Sequence, residues 1–162
     1  MLEQEDVKKS RTLIHLQFTA WPGNSFPQSP APFVNFIGEL LHFWRQQRNA
    51  DHPIVVHCLA GAGRTGLLCL ISAAVADMNA GHGIIDVVRC AATLCQQRRN
   101  TFRDREHLLF AYQTILYHAQ DLLFKSSSSI NSTLFSTYLW GFNRIFIFFI
   151  HLEFLYKVFH GG

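Results

Sequence analysis

The sequence predicts an α/β fold, because short stretches of strand type are followed by longer stretches of helical spacing. The β-branched run at residues 54–56 is typical of a buried strand, and the imperfect alternation of polar and apolar side chains over residues 11–18 predicts a second one. Four stretches have the composition or apolar spacing of helices, namely 33–44, 67–78, 85–99 and 104–124.

Composition fits one globular domain with a core, since 49% of the 162 residues are hydrophobic and 15% are charged. The net charge of +3 comes from basic residues interleaved with acidic ones, which predicts no nucleic-acid partner. The nine histidines are scattered without ligand spacing, so we predict no metal site. Residues 1–10 contain no apolar run, so no secretory signal is expected.

The cysteine pattern predicts reduced thiols and a cytoplasmic location, because the four cysteines show neither a Cys-x-x-Cys pair nor a disulfide framework. Cys69, Cys90 and Cys95 fall in helical stretches and are interpreted as core residues. Only Cys58 has neighbours that predict an electropositive setting.

A decapeptide, His-Cys-Leu-Ala-Gly-Ala-Gly-Arg-Thr-Gly, joins the strand at 54–56 to the next helix. Gly61 and Gly63 have no side chain to keep a ligand from the backbone, so the loop can turn its N–H groups inward. Such a nest, at the positive end of a helix, binds a phosphate-sized dianion. The predicted phosphate site comprises Cys58, Leu59, Ala60, Gly61, Ala62, Gly63 and Arg64.

Three residues of this loop are candidate catalytic residues. The guanidinium of Arg64 can hold two phosphate oxygens at once. The same positive field should lower the pKa of Cys58 and make its sulfur a nucleophile, while the hydroxyl of Thr65 can hydrogen-bond that sulfur and ease its departure from a phosphocysteine. The alternative is a structural cysteine before a glycine-rich turn. His57 is given only a supporting role, hydrogen-bonding the loop.

The decapeptide resembles the signature of the cysteine-dependent protein tyrosine phosphatases, His-Cys-x5-Arg-Ser/Thr-Gly. Upstream, residues 15–22 are similar to the strand that leads into the mobile Trp-Pro-Asp loop of that family. Downstream, residues 97–98 and 110–112 resemble the segment that carries its water-positioning glutamines. Residues 80–84 and 106–110 look most like the endosomal His-domain branch, which also bears a Bro1 domain.

The resemblance covers about residues 11–124 and implies the C-terminal half of a catalytic domain that needs roughly 250 residues in the family. It implies a central mixed sheet flanked by helices, with the N-terminal half of the domain missing. The implied activity is hydrolysis of phosphotyrosine in proteins through a phosphocysteine intermediate. No cofactor is implied, the partner is a phosphotyrosine-containing protein or peptide, and the location is cytoplasmic, with endosome association.

The sequence departs from the family pattern at four positions. Gly23 stands where the family has the aspartate that acts as general acid, which is worth ~10²–10⁴ in rate. Arg103 and His107 align with glutamines of the second step, and Leu59 replaces a serine. Impaired activity is therefore predicted. The alternative is a pseudophosphatase that acts as a phosphoprotein-binding or endosomal-sorting scaffold.

Two further segments near the loop have predicted roles. Residues 21–32 hold four of the five prolines and predict a long loop that is a candidate lid. Arginines cluster at positions 98, 99, 103 and 105, where a solvated turn is favoured over a dock for an acidic phosphopeptide.

The predicted domain boundary divides a partial phosphatase domain, residues 1–125, from a tail, residues 126–162. The tail starts with four serines, which predict a flexible linker, and residues 134–159 are then dense in aromatic and aliphatic side chains. Because charged residues interrupt this stretch, a membrane anchor and an interfacial helix remain alternatives. The favoured interpretation is a translated intron or truncated gene model that is not part of the functional protein.

Overall fold

A computed structural model describes residues 13–47 and 53–128 of the chain. Within these ranges the backbone forms four α-helices joined by loops and turns. Their bounds are α1 Ala31–Arg45, α2 Gly63–Asn79, α3 Val87–Gln97 and α4 Arg105–Ser128. None of the helices in this part of the chain is long and apolar enough to cross a membrane.

The predicted α/β fold with a central mixed sheet is wrong for the described residues, which are helical and contain no sheet. Over residues 13–18 and 53–57, which include the described parts of the two predicted strands, the structure has only isolated β-bridges, at Gln17, Val55 and His57. A β-branched run such as 54–56 favours an extended backbone, whereas a sheet also needs several neighbouring strands with matched register. That pairing is a tertiary property, and these two segments do not supply it.

Helix α1 starts at Ala31, two residues before the predicted stretch 33–44. Pro30 caps the helix, and Pro32 lies in the first turn, where its fixed φ suits the helix and its missing N–H has no intrahelical partner to lose. The helix buries one face made of five apolar residues, namely Phe33, Val34, Ile37, Leu40 and Leu41. This face packs against α2 and α4.

Helix α2 is the central helix, in contact with α1, α3 and α4. Its buried residues lie on more than one face, as expected for a helix enclosed by others. They are Gly66, Leu67, Leu68, Leu70, Ile71, Ser72, Ala74, Val75 and Met78. The helix starts at Gly63, four residues before the predicted start at Leu67, and this earlier start places Arg64 and Thr65 in its first turn.

Helices α3 and α4 complete the packing around α2. The carboxylate of Asp86 accepts a hydrogen bond from the backbone N–H of Arg89 at 2.9 Å, which caps the start of α3. Helix α4 is 24 residues long and extends to Ser128, three residues beyond the predicted boundary at Lys125. Three of the four serines predicted as a linker are therefore helical. The predictions for residues 129–162 lie outside the described residues.

An aromatic cluster joins the loop that precedes α1 to the helices. The ring centroids of Phe18 and Phe33 are 5.2 Å apart, and Trp21 lies 5.7 Å from Phe33 and 5.5 Å from Phe110, all in edge-on or tilted arrangements. Such pairs stabilise beyond the burial of their area. The cluster fixes the base of the candidate lid against α1 and α4.

Three of the four cysteines lie in helices, as predicted. Cys69 and Cys90 pack against the core, and Cys95 is half-buried. Burial raises the pKa of the Cys69 thiol to about 12, so that thiol is inert at neutral pH. All four cysteines are free thiols.

Candidate active site

The anion loop, residues 58–64, follows the segment 54–57 and continues into the first turn of α2, which begins at Gly63. Gly61 has φ of +61°, a left-handed conformation that glycine adopts without steric cost. The N-cap residue of α2, Ala62, makes no side-chain capping hydrogen bond. The first N–H groups of a helix have no intrahelical partner, so this uncapped start offers donors to an anion.

The thiol of Cys58 sits inside this loop with hydrogen-bond donors around it. The hydroxyl of Thr65 donates to Cys58 Sγ over 3.1 Å. Burial raises the pKa of Cys58, but hydrogen bonds from the side chain and backbone of Thr65 and from the backbones of Ala62 and Gly61 lower it by more. The pKa of Cys58 therefore lies below its ordinary value, which favours the thiolate, as the sequence predicts.

The guanidinium of Arg64 connects the anion loop with the candidate lid. It lies 5.2 Å from the ring centroid of Trp21, within the range of a cation–π contact, and its Nη2 atom donates a hydrogen bond to the carbonyl oxygen of Gly23. Burial lowers the pKa of Arg64, and the charge of Cys58 raises it in part. Because arginine starts from so high a pKa, the side chain stays a cation beside the thiolate.

At three glycines of the decapeptide, a side chain from the segment 98–107 lies close to the place where a Cβ would be. A Cβ on Gly61 would lie 2.8 Å from Arg98 Nη2, and one on Gly63 would overlap His107 Nε2. A Cβ on Gly66 would overlap the methyl group of Thr101. The prediction that Gly61 and Gly63 leave room for a ligand is therefore incomplete, because neighbouring side chains fill the space where a Cβ would be.

Sequence reasoning missed these contacts. The signal was available in the spacing of glycine at 61, 63 and 66, since glycine within a regular element marks a close approach by another part of the chain. Which part approaches is not encoded locally. The packing of α4 and the turn before it on α2 brings the partners to the loop.

Gly23, at the predicted general-acid position of the candidate lid, is exposed. Gly23 has φ of +39°, and no atom lies within 4 Å of the place where its Cβ would be. A turn closed by the hydrogen bond from Ser25 N–H to the carbonyl of Pro22, 3.0 Å long, holds this part of the loop. A side chain at position 23 would enter open space rather than protein.

The remaining predicted residues fall around the loop in different ways. Leu59 and Ala60 are exposed at its rim, with Leu59 at 88%, and His57 is half-buried at an isolated bridge. Of the four clustered arginines only Arg98 reaches the loop through a contact described above, and all four are exposed. The described ranges contain no group of three or more histidine, cysteine or acidic side chains placed to hold a metal. The absence of a cofactor stays a prediction.

Comparison with known proteins identifies relatives of the chain over the residues that form this site. The family model described as protein-tyrosine phosphatase matches residues 1–117. The chain is 36% identical over 122 residues, 75% of its length, to human tyrosine-protein phosphatase non-receptor type 23, of which it covers 8%. It is also 36% identical over 108 residues, 67% of its length, to chicken receptor-type tyrosine-protein phosphatase S, of which it covers 7%.

These comparisons confirm the predicted resemblance to the protein tyrosine phosphatases and to the His-domain branch. The chain spans less than a tenth of the length of either of these relatives. The match includes the decapeptide, Gly23 and the segment 98–107, because all three lie within residues 1–117.

Proposed function

The chain belongs to the protein tyrosine phosphatase family, and we propose that it hydrolyses phosphotyrosine in proteins or peptides through a phosphocysteine intermediate, slowly because Gly23 supplies no acid. One observation carries this proposal: Cys58 Sγ accepts a hydrogen bond from Thr65 beside Arg64, and its pKa lies below the ordinary value. A nucleophile, an oxyanion site and a group that stabilises the leaving sulfur are thus in one loop.

In the first step the Cys58 thiolate attacks phosphorus, the S–P bond forms and the P–O bond to the tyrosine ring breaks. The phosphoryl oxygens carry the charge of the transition state, and Arg64 with the N–H groups of the anion loop stabilises it. The departing phenolate takes its proton from solvent, since position 23 has no carboxylate. Loss of general acid help costs ~10²–10⁴ in rate.

In the second step water attacks the phosphocysteine, the S–P bond breaks and inorganic phosphate leaves. The electron pair returns to Cys58 Sγ, where the hydrogen bond from Thr65 stabilises the thiolate. Arg103 stands at the position that the family uses for water positioning and is exposed. We therefore assign Cys58, Arg64 and Thr65 as the catalytic residues within a partial catalytic domain, residues 1–125.

A second function, phosphoprotein binding without turnover, is favoured by the contact between Arg64 and Gly23. That hydrogen bond joins the phosphate-binding arginine to the very lid position that has lost the acid. A chain with this arrangement can bind a phosphotyrosine peptide through the anion loop and release it unchanged. In that case the protein is a pseudophosphatase and acts as a scaffold in the cytoplasm or in endosomal sorting.

Hydrolysis of aryl phosphate by the purified chain, compared with Cys58→Ser, separates the two functions. Cys95→Ser is the matched control, because Cys95 is a half-buried thiol in α3. Turnover that is lost in Cys58→Ser and kept in Cys95→Ser supports the enzyme. Absence of Cys58-dependent turnover, with phosphotyrosine-peptide binding that Arg64→Met abolishes, supports the scaffold. Absence of both removes the function proposed here.

A further inference from the structure

His107, in the first turn of α4, lies between the anion loop and the candidate lid. On one side its Nε2 atom occupies the space where Gly63 would carry a Cβ. On the other side its ring meets the ring of Phe26 edge-on, with centroids 5.1 Å apart and planes at 90°. The imidazole therefore separates two segments that are 37 positions apart in the sequence.

Further contacts complete a ring of neighbouring residues around the site. Phe26 lies 5.7 Å from Trp21, Trp21 lies under the guanidinium of Arg64, and Arg64 follows Gly63 in the chain. The lid and the anion loop are thus connected directly, where Arg64 contacts Trp21 and Gly23, and indirectly, through His107 of α4. A displacement of Phe26 in the candidate lid therefore shifts His107, which in turn contacts the backbone of Gly63.

The Nδ1 atom of His107 does not account for the position of the ring between these segments. Its Nδ1 atom is shielded from solvent and has no hydrogen-bond partner among the described residues. A buried nitrogen without a partner lowers stability relative to an apolar group of the same shape. The shape and position of the planar ring, rather than a hydrogen bond of Nδ1, therefore account for its contact with both Gly63 and Phe26.

We propose that His107 is a positioning residue that couples the lid to the anion loop by holding Gly63 and Phe26 at a fixed separation. The inference rests on the proposed function only in taking Cys58 as the reactive thiol. Gly63 begins α2 and lies within the run of backbone groups that surround Cys58 Sγ. Loss of the ring leaves a gap on one side of this run, so the donors no longer keep their places around the sulfur.

The test is a double-mutant cycle read out on the thiol of Cys58. The pH dependence of Cys58 alkylation by iodoacetamide, located by peptide mass mapping, and the affinity for vanadate are measured in His107→Ala, Phe26→Ala and the double variant. Each single change should weaken vanadate binding about tenfold and move the alkylation midpoint toward that of free cysteine. The double variant should be no worse than either single one, because both remove the same coupling.

Two further variants exclude a general loss of structure. His107→Gln, with a planar amide of similar reach, should restore most of the affinity. His82→Ala should have no effect, because His82 is exposed and pairs with Asp77 at the far end of α2. Should His107→Ala fail to fold, His107→Val and Phe26→Leu carry the same cycle with smaller changes, and His107→Gln stays the rescue variant.

The outcomes distinguish this inference from the proposed function. An unchanged Cys58 profile in His107→Ala, or effects of the two single variants that multiply, overturns the coupling even where turnover is present. A wild-type thiol that titrates like free cysteine overturns it as well. Coupling on the thiol without any Cys58-dependent turnover supports the positioning role and removes only the hydrolytic function.

Discussion

The guanidinium of Arg64 donates a hydrogen bond to the carbonyl oxygen of Gly23, which precedes it by 41 residues. The same side chain lies over Trp21, so two lid residues contact one residue of the anion loop. The candidate lid therefore lies next to the arginine for which we propose phosphate binding. A side chain introduced at position 23 is attached to the residue whose carbonyl oxygen contacts Arg64, and its Cβ meets no protein atom within 4 Å.

Gly23→Asp should raise the turnover of aryl phosphates with poor leaving groups by up to ~10²–10⁴, because it restores the general acid. The open space at position 23 accepts the side chain. The backbone φ of +39° is one that aspartate and asparagine tolerate better than most residues. The measurement is kcat for a series of aryl phosphates of increasing leaving-group pKa.

Gly23→Asn is the matched control for this variant, since it has the same shape and backbone strain without an acidic proton. The dependence of kcat on leaving-group pKa should flatten in Gly23→Asp alone. Equal rates in the aspartate and asparagine variants would show that the acid is not what limits the reaction.

Thr65→Val should raise the pKa of Cys58 and slow breakdown of the phosphocysteine. Burial by itself raises that pKa, and the hydroxyl of Thr65 provides part of the opposing hydrogen bonding. The pH profile of Cys58 alkylation reports the first effect and rapid-quench detection of phosphoenzyme the second. Thr65→Ser keeps the hydroxyl and should behave like the wild type; a serine variant as impaired as the valine one would contradict the role of the hydrogen bond.

Gly66→Ala and Gly38→Ala should change stability in opposite directions. A Cβ on Gly66 overlaps the Thr101 methyl group and lies 3.3 Å from the Thr101 carbonyl oxygen, so we expect a loss of about 1–3 kcal/mol. A Cβ on Gly38, within α1, meets nothing within 4 Å, and alanine there should stabilise by about 0.5–1 kcal/mol. Urea unfolding measures both. Thr101→Ser, introduced together with Gly66→Ala, removes the overlapping methyl group and should recover part of the lost free energy of unfolding.

His118 should make the folded state less stable as the pH falls below the ordinary histidine value. Its Nε2 pairs with Asn79 Oδ1 at 3.0 Å, and its Nδ1 is buried without a partner in the described part of the chain. Burial lowers the pKa of His118, Asp121 raises it, and Lys125 lowers it, with a net decrease. The unfolded chain then takes up the proton at a higher pH than the folded one, so stability is lost as the pH falls between those two values.

The check is the free energy of unfolding in urea at pH 7.5 and pH 5.5 for the wild type and for His118→Gln. The glutamine variant keeps a donor for Asn79 but has no proton to gain. Its stability should fall less over this range than that of the wild type. Equal slopes for the two proteins would assign the pH dependence to other histidines.

The helices and the reactive loop could be predicted from sequence because their signals are local. The proline at the start of α1, the apolar spacing of α4 and the run from Cys58 to Gly66 each lie within a few turns of chain. The prediction of a sheet was wrong for the described residues, because strand composition at 54–56 indicates a backbone preference and does not identify a neighbouring strand. The start of α2 at Gly63 was not predicted either, because the apolar pattern of that helix begins only at Leu67.

The sequence by itself determined the membership of the protein tyrosine phosphatase family and the order of the candidate site residues: a cysteine, an arginine and a hydroxyl in one decapeptide, and a glycine at the predicted acid position. Tertiary structure decided what surrounds that loop. Arg98, Thr101 and His107 reach the three glycines only because α4 and the preceding turn pack on α2. Spacing along the chain determines which side chains lie together within one loop. Contacts between distant segments depend instead on how the helices bury their apolar faces against one another.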